Sequence, residues 1–285
     1  MIMEYDIAII GGGPAGVSAA INAKILNKKF IWFSSRGVSQ KVARAELIKN
    51  YAGLPDVTGA ELGWTLNNHA ESMGIERVEE VITGVYETGG KFTLLAGNKD
   101  FEAKTVILCL GVQAQKPIKG EEEFLGRGVS YCATCDGNLY KGKTIAVVCM
   151  DKNFEHEAEY LCTLAQKVYV MPFYKNYRIT AKNAEIILKA PTEISGGLKV
   201  NEVVFKDSKI AVDGVFVLKS AISPATLVHG LKIEDGHISV NRKLETNIGG
   251  MFAAGDCTGR PYQYMKAAGE GNVAVHSAVE YLSRR

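Results

Sequence analysis

The chain has 285 residues, 47% apolar and 22% charged, and 33 basic against 31 acidic side chains leave a formal charge of +2 at pH 7. This is the composition of an ordinary globular protein, with material for one large domain or two modest ones. The scattered charges exclude a basic block for nucleic acid, and no apolar run approaches the roughly 20 residues of a membrane span.

Residues 1–30 lack the charged region, apolar core and cleavage site of a secretory signal, so the expected location is the cytoplasm. Residues 5–10 form an apolar, β-branched run that leads into Gly11-Gly12-Gly13-Pro14-Ala15-Gly16 and then an alanine-rich stretch over 17–26. The pattern predicts strand, glycine turn and helix. Gly11 permits the tight turn, Gly13 lets the backbone approach a pyrophosphate, and Gly16 allows helix to pack on strand. The helix start offers free N–H groups and the positive end of a dipole, so a dinucleotide is expected here.

The next predicted strand, 29–33, ends in Ser34-Ser35, where an acidic residue usually grips the ribose hydroxyls. Ser34 suits either a neutral partner for the ribose or a turn. Far along the chain, Met251-Phe252-Ala253-Ala254-Gly255-Asp256 reads as a short buried strand ending in an acid, followed by a predicted helix over 263–281. Asp256 fits hydroxyl contacts with a cofactor or a helix cap; joined to the glycine turn, it reads as the far half of one FAD site.

Between these halves lies Cys132-Ala133-Thr134-Cys135-Asp136. Of six cysteines, only Cys132 and Cys135 have the two-residue spacing that serves redox cycling or half a metal site. No second Cys-x-x-Cys accompanies them, so redox is favoured over zinc. A helix expected to begin here would stabilise a thiolate at its N-terminus. Asp136 suits proton transfer or pairing with the helix dipole. Cys109, Cys149, Cys162 and Cys257 sit among apolar or small residues and read as inert buried thiols.

These segments, with Asn50-Tyr51-Ala52-Gly53 and the run from Gly120 through Gly137, resemble the low-molecular-weight thioredoxin reductases along nearly the whole chain. The resemblance implies an α/β fold of two Rossmann-like (three-layer ββα) domains, the second inserted in the first. Residues 1–112 and 240–285 would form the FAD-binding domain. Residues 113–239 would carry the redox disulfide on a degenerate NADPH-binding fold, with hinges at 111–119 and 235–242. FAD contacts are expected from Gly11, Gly13, Pro14, Ala15, Gly16, Ser34, Asn50, Gly111, Gly255, Asp256 and Gln263. The resemblance also implies a homodimer, thioredoxin as partner, and catalysis by Cys132, Cys135 and Asp136, with Cys135 on the flavin side and Cys132 on the thioredoxin side.

Two departures stand out. After the predicted strand 144–148, where the family places a second glycine turn for NADPH, the chain reads Cys149-Met150-Asp151-Lys152-Asn153-Phe154, and Glu155, Glu157 and Glu159 follow. After the predicted strand 167–171, where the family carries arginines for the 2′-phosphate, it reads Pro172-Phe173-Tyr174-Lys175-Asn176. Two independent losses in one pocket resemble the ferredoxin-dependent flavin thioredoxin reductases, which do not use pyridine nucleotides. That resemblance implies ferredoxin, or another low-potential carrier, as donor. An acidic donor would meet basic residues, for which Lys41, Arg44, Lys116, Lys119, Arg127 and Arg260 are candidates. Rival readings are an NAD(P)H-dependent reductase with an atypical nucleotide site and a non-catalytic flavin/disulfide sensor.

Overall fold

The computed structural model describes residues 4–34, 40–43, 45–97, 99–112, 117–219 and 223–285. The chain begins with β1 (Glu4–Ile10), α1 (Pro14–Ile25), β2 (Phe30–Phe33), α2 (Gln40–Ala43), α3 (Gly59–Ser72), β3 (Ile82–Thr88), β4 (Lys91–Ala96) and β5 (Lys99–Leu108). A second group follows: β6 (Val129–Ser130), α4 (Ala133–Asp136), β7 (Thr144–Cys149), α5 (Glu155–Leu164), β8 (Lys167–Pro172), β9 (Ala184–Ile186), β10 (Glu193–Gly196), β11 (Val200–Val204), β12 (Lys209–Ala211) and β13 (Gly214–Leu218). The chain then returns through α6 (Pro224–Leu227), β14 (Ile233–Glu234), β15 (His237–Ile238), β16 (Met251–Ala253) and α7 (Tyr264–Ser283).

The first sheet runs β2-β1-β5-β4-β3. Its long strand β5 changes partner along its length: Lys99–Ala103 pair antiparallel with β4, while Val106–Leu108 pair in parallel with β16. Ile7, Ala8, Ile9 and Ile10 in β1 are all buried, as a strand covered on both faces requires. Small residues set the helix packing on this sheet. A Cβ at Gly271 of α7 would stand 2.1 Å from the Ala15 carbonyl oxygen of α1, so the two helices meet nearly backbone to backbone. In the second group, β6-β13-β7-β8-β9 form a parallel sheet beside the antiparallel meander β10-β11-β12. Ile145, Val147, Leu161, Val168, Val170 and Phe216 build its core.

The class is therefore α/β with two Rossmann-like units, the second inserted into the first. By contacts, the first unit comprises Met1–Val112 with Pro224–Arg285, and the second Gln113–Ser223. The second boundary by contacts thus falls at 223/224, ahead of the 239/240 read from sequence. Leu227, Val228, Leu231 and Ile238 are buried in the first unit, and Val228 bridges to Val85 of β3. Asp235 and Gly236, with φ of 49° and 76°, make the turn between β14 and β15; Asp-Gly reads as linker but here closes a hairpin. Of the expected hinge at 111–119, residues 113–116 lie outside the described residues. Among the described residues no helix is long and apolar enough to cross a membrane.

Two glycines of α7 should answer to alanine with opposite signs. At exposed Gly269 a Cβ meets nothing within 4 Å, so Gly269→Ala is expected to stabilise by about 1 kcal/mol through helix propensity. Gly271→Ala forces α1 and α7 apart and is expected to cost about 1–3 kcal/mol. Urea unfolding of the two variants checks the pair.

Candidate active site

The glycine turn of the first unit separates into packing and access. Gly11 has φ +128°, and a Cβ there would lie 2.1 Å from the Cys109 carbonyl oxygen; at Gly16 it would lie 1.9 Å from the Gly11 carbonyl oxygen. Both positions are closed by the protein itself. Among the described residues a Cβ at Gly13 would meet nothing within 4 Å and no side chain caps α1, which starts with Pro14 at a position needing no N–H. Missing bulk and an uncapped helix start coincide at the carboxyl end of β1, as a cradle for a dinucleotide phosphate requires. Trp32 of β2 buttresses the turn by donating from Nε1 to the Gly11 carbonyl oxygen at 2.8 Å.

The other predicted contacts lie just past strands of this unit or meet one another. Ser34 is buried just past β2. Asn50 and Gln263, far apart in sequence, meet: Asn50 Nδ2 donates to Gln263 Oε1 at 2.6 Å. Gly111, with φ +67°, follows β5 and faces open space. Gly255, with φ +90°, turns the chain so that Asp256 begins a 3-10 turn, Asp256–Thr258. That turn is held from α7. Glu270 Oε2 accepts from the Gly255 N–H at 2.8 Å and from the Thr258 hydroxyl at 2.9 Å, and Lys266 Nζ donates to the Gly259 carbonyl at 2.7 Å. Trp32, Lys266 and Glu270 escape a motif reading because an apolar strand residue and an i,i+4 ion pair look like ordinary core and surface.

In the second unit Cys132 and Cys135 form a disulfide, S–S 2.07 Å, at the end of β6. Cys132 is buried and Cys135 exposed. The helix expected after Cys132 is one short turn, α4, continued by a 3-10 turn, Gly137–Tyr140, so a long helix dipole is not what faces the sulfur. Individual groups do: Cys132 Sγ accepts from the Cys135 N–H at 3.1 Å and lies 3.4 Å from Thr134 Oγ1. Asp136 is tied in by Ser130, whose hydroxyl donates to Asp136 Oδ2 at 2.6 Å and accepts from the Cys132 N–H at 3.1 Å. Ser130, buried at the end of β6, has no sequence signal of its own.

The equivalent strand-to-helix junction of the second unit is built differently, with a capped 3-10 turn in place of glycines. After β7, Asp151 Oδ1 accepts from the Asn153 N–H at 3.0 Å at the start of the 3-10 turn Lys152–Phe154, which leads directly into α5. Glu155 Oε1 accepts from the Arg178 N–H at 2.5 Å and from the Tyr174 hydroxyl at 3.2 Å. Tyr174 also reaches buried Cys149, O–S 3.7 Å. Where backbone would approach a pyrophosphate, a carboxylate caps the turn and a tyrosine packs on a thiol.

Residues 5–149 and 174–271 match the family model described as pyridine nucleotide-disulphide oxidoreductase. The thioredoxin reductase of Bacillus subtilis is 30% identical over 98% of this chain and 95% of its own, and that of Aquifex aeolicus 34% over 98% and 94%. A solved ferredoxin-flavin thioredoxin reductase from Clostridium acetobutylicum is 49% identical, with a TM-score of 0.89 over 99% of both chains. A second structure described in the same words is 46% identical, with a TM-score of 0.92 over 99% of both chains. The chain belongs to the low-molecular-weight thioredoxin reductases. It is an oxidoreductase of a flavin-binding family, and its Cys-x-x-Cys pair is the family's disulfide.

The four other cysteines of this reductase are free and buried. Burial pushes the thiols of Cys149, Cys162 and Cys257 up to about 11, and burial beside Cys257 lifts Cys109 well above its ordinary value. Alkylation of native protein at pH 8 is expected to modify Cys132 and Cys135 after reduction and leave the other four unmodified, as read by peptide mass. The raised folded values also set an alkaline limit. An unfolded thiol ionises near its ordinary value of 9.0 while the folded one waits until about 11, so this stabilisation is complete below pH 9 and lost as pH rises to 11. Urea midpoints between pH 8 and 11 should fall less steeply for Cys149→Ala than for the parent.

Proposed function

We propose that this reductase takes electrons from reduced ferredoxin, or another low-potential carrier protein, and delivers them to thioredoxin, with FAD and the Cys132–Cys135 disulfide as its two redox centres. The observation that carries the reading is the Asp151 carboxylate on the Asn153 N–H, in the place a nucleotide pyrophosphate would need. The Glu155–Tyr174–Cys149 contacts close the same region from the side. The likeness to two structures named ferredoxin-flavin thioredoxin reductase supports it.

The cradle at Gly13 and the uncapped start of α1 fit a dinucleotide phosphate, and Ser34, Gly111 and Asp256 past their strands, with the Asn50–Gln263 pair, are the further contacts we assign to it. Bound flavin supplies the exchange between one-electron and two-electron chemistry that a ferredoxin donor and a disulfide acceptor demand. The chain's own part is sulfur exchange. With the pair reduced, a thiolate of Cys132 attacks the thioredoxin disulfide, forming a mixed disulfide and releasing one thioredoxin thiolate. Cys135 then attacks Cys132, re-forming the internal disulfide and releasing the second thiolate; two electrons pass, and two protons complete the thioredoxin dithiol. Asp136, oriented by Ser130, is the nearby carboxylate for those protons. The assignment of Cys135 to the flavin side and Cys132 to thioredoxin rests on the family pattern.

Of the basic residues proposed for donor contact, Lys119 pairs with Glu193, Arg127 donates to the Glu123 carbonyl, and the Arg260 guanidinium lies over the Tyr262 ring. The side chains of Lys41, Arg44 and Lys116 lie outside the described residues. We include a homodimer in the proposal, on the family pattern.

Anaerobic mixing with NADPH, NADH and reduced ferredoxin tests the donor directly. Ferredoxin is expected to bleach the flavin and support thioredoxin turnover, and neither nucleotide to do so; rapid bleaching by a nucleotide overturns the reading. Asp136→Asn is expected to lower turnover by about 10²-fold with the flavin retained, measured by thioredoxin-coupled assay and visible absorbance.

A further inference from the structure

A buried charged cluster in the second unit has no part in the chemistry above. Glu121 is 1% exposed. Its Oε2 accepts from the Ile118 N–H at 2.9 Å, and its Oε1 from the Tyr131 hydroxyl at 2.7 Å and from the Lys219 ammonium. Lys219 also lies 4.8 Å from the centre of the Tyr131 ring. Burial and then the Glu121 carboxylate raise the tyrosine's pKa, keeping its hydroxyl a donor.

The cluster lies where two passages of chain meet. Glu121 belongs to the segment that enters the second unit, and Lys219 follows β13, the strand that leaves it. β13 pairs with β6, so Lys219 and Tyr131 stand at the same end of adjacent parallel strands. Next to this link Ser223 donates to Glu122 Oε1 at 2.5 Å, a second tie between the passages that does not involve Tyr131.

Tyr131 directly precedes Cys132, whose backbone is extended, and side chains in extended chain alternate between faces. Ser130, as described, holds the Cys132 N–H and Asp136. Tyr131, pointing the other way, is held by Glu121. The segment presenting the redox sulfur is thus pinned on both faces, and only one of the two pins touches the disulfide loop.

We propose that Glu121 is a positioning residue of the redox pair, acting through the Tyr131 hydroxyl to hold Cys132 where its sulfur meets Cys135. This rests on the cysteine pair being redox-active and is indifferent to the identity of the electron donor. Holding the segment raises the effective concentration of one thiol at the other, which favours the closed disulfide. Losing the pin should make the disulfide easier to reduce.

The test equilibrates the holoenzyme anaerobically with dithiothreitol and its cyclic disulfide, then traps free thiols and measures mass. In each turnover the Cys132–Cys135 bond breaks, the protein gains two electrons and two protons, and dithiothreitol loses them as it closes its ring. Tyr131→Phe removes one oxygen and is expected to shift the equilibrium about fivefold toward the dithiol, the worth of one hydrogen bond. Glu121→Gln should shift it in the same direction, and Ser223→Ala should leave it within twofold of the parent. A Tyr131→Phe equilibrium within twofold of the parent overturns the proposal, as does an equal shift in Ser223→Ala, which would mean general loosening. If Glu121→Gln fails to fold, Tyr131→Phe decides alone. Because neither ferredoxin nor thioredoxin is present, a wrong donor assignment leaves this result untouched.

Discussion

The first N–H groups of a helix have no partner inside the helix, and a parallel strand that feeds such a helix aims them at the crevice beyond the sheet. What meets those groups separates the two units of this reductase. In the first, Gly13 and Pro14 bring neither bulk nor a side-chain acceptor, and the start of α1 stays open. In the second, a 3-10 turn capped by Asp151 comes between the strand and α5, and Tyr174 donates to Glu155 at the start of that helix. One topology thus yields a glycine turn at one junction and a carboxylate-capped 3-10 turn at the other, and that contrast supports the proposed electron source.

Holding the open cradle falls to residues that never touch its edge. Trp32 carries the Gly11 carbonyl, while Lys266 and Glu270, one turn apart on α7, fix the bend that places Asp256. The backbone contact of α1 with α7 at Ala15 and Gly271 brings that support within reach. The disulfide is built on the same plan, with Ser130 and Tyr131 gripping consecutive positions from opposite sides. Buried polar groups with full sets of partners give such segments a single conformation.

Local chemistry was legible in the residues. Gly11-Gly12-Gly13-Pro14-Ala15-Gly16 announced its turn because only glycine tolerates those approaches, and Cys132 and Cys135 announced a disulfide because three-residue separation suits closure. Asp235-Gly236 reads alike as a linker and as a hairpin turn; the pairing of β14 with β15 shows the turn, and the burial of Leu231 and Ile238 beside it is a long-range property.

The sequence by itself therefore determined the α/β class, the glycine turn and the cysteine pair, since each depends on neighbours a few residues apart. Only the tertiary structure decided that Asn50 meets Gln263, that Glu270 holds Gly255, and that Glu121, Tyr131 and Lys219 share one buried site. Those partners lie 10 to 213 residues apart in the chain. A hydrogen bond over about 3 Å is set by how whole elements pack, and residue spacing carries no record of that packing.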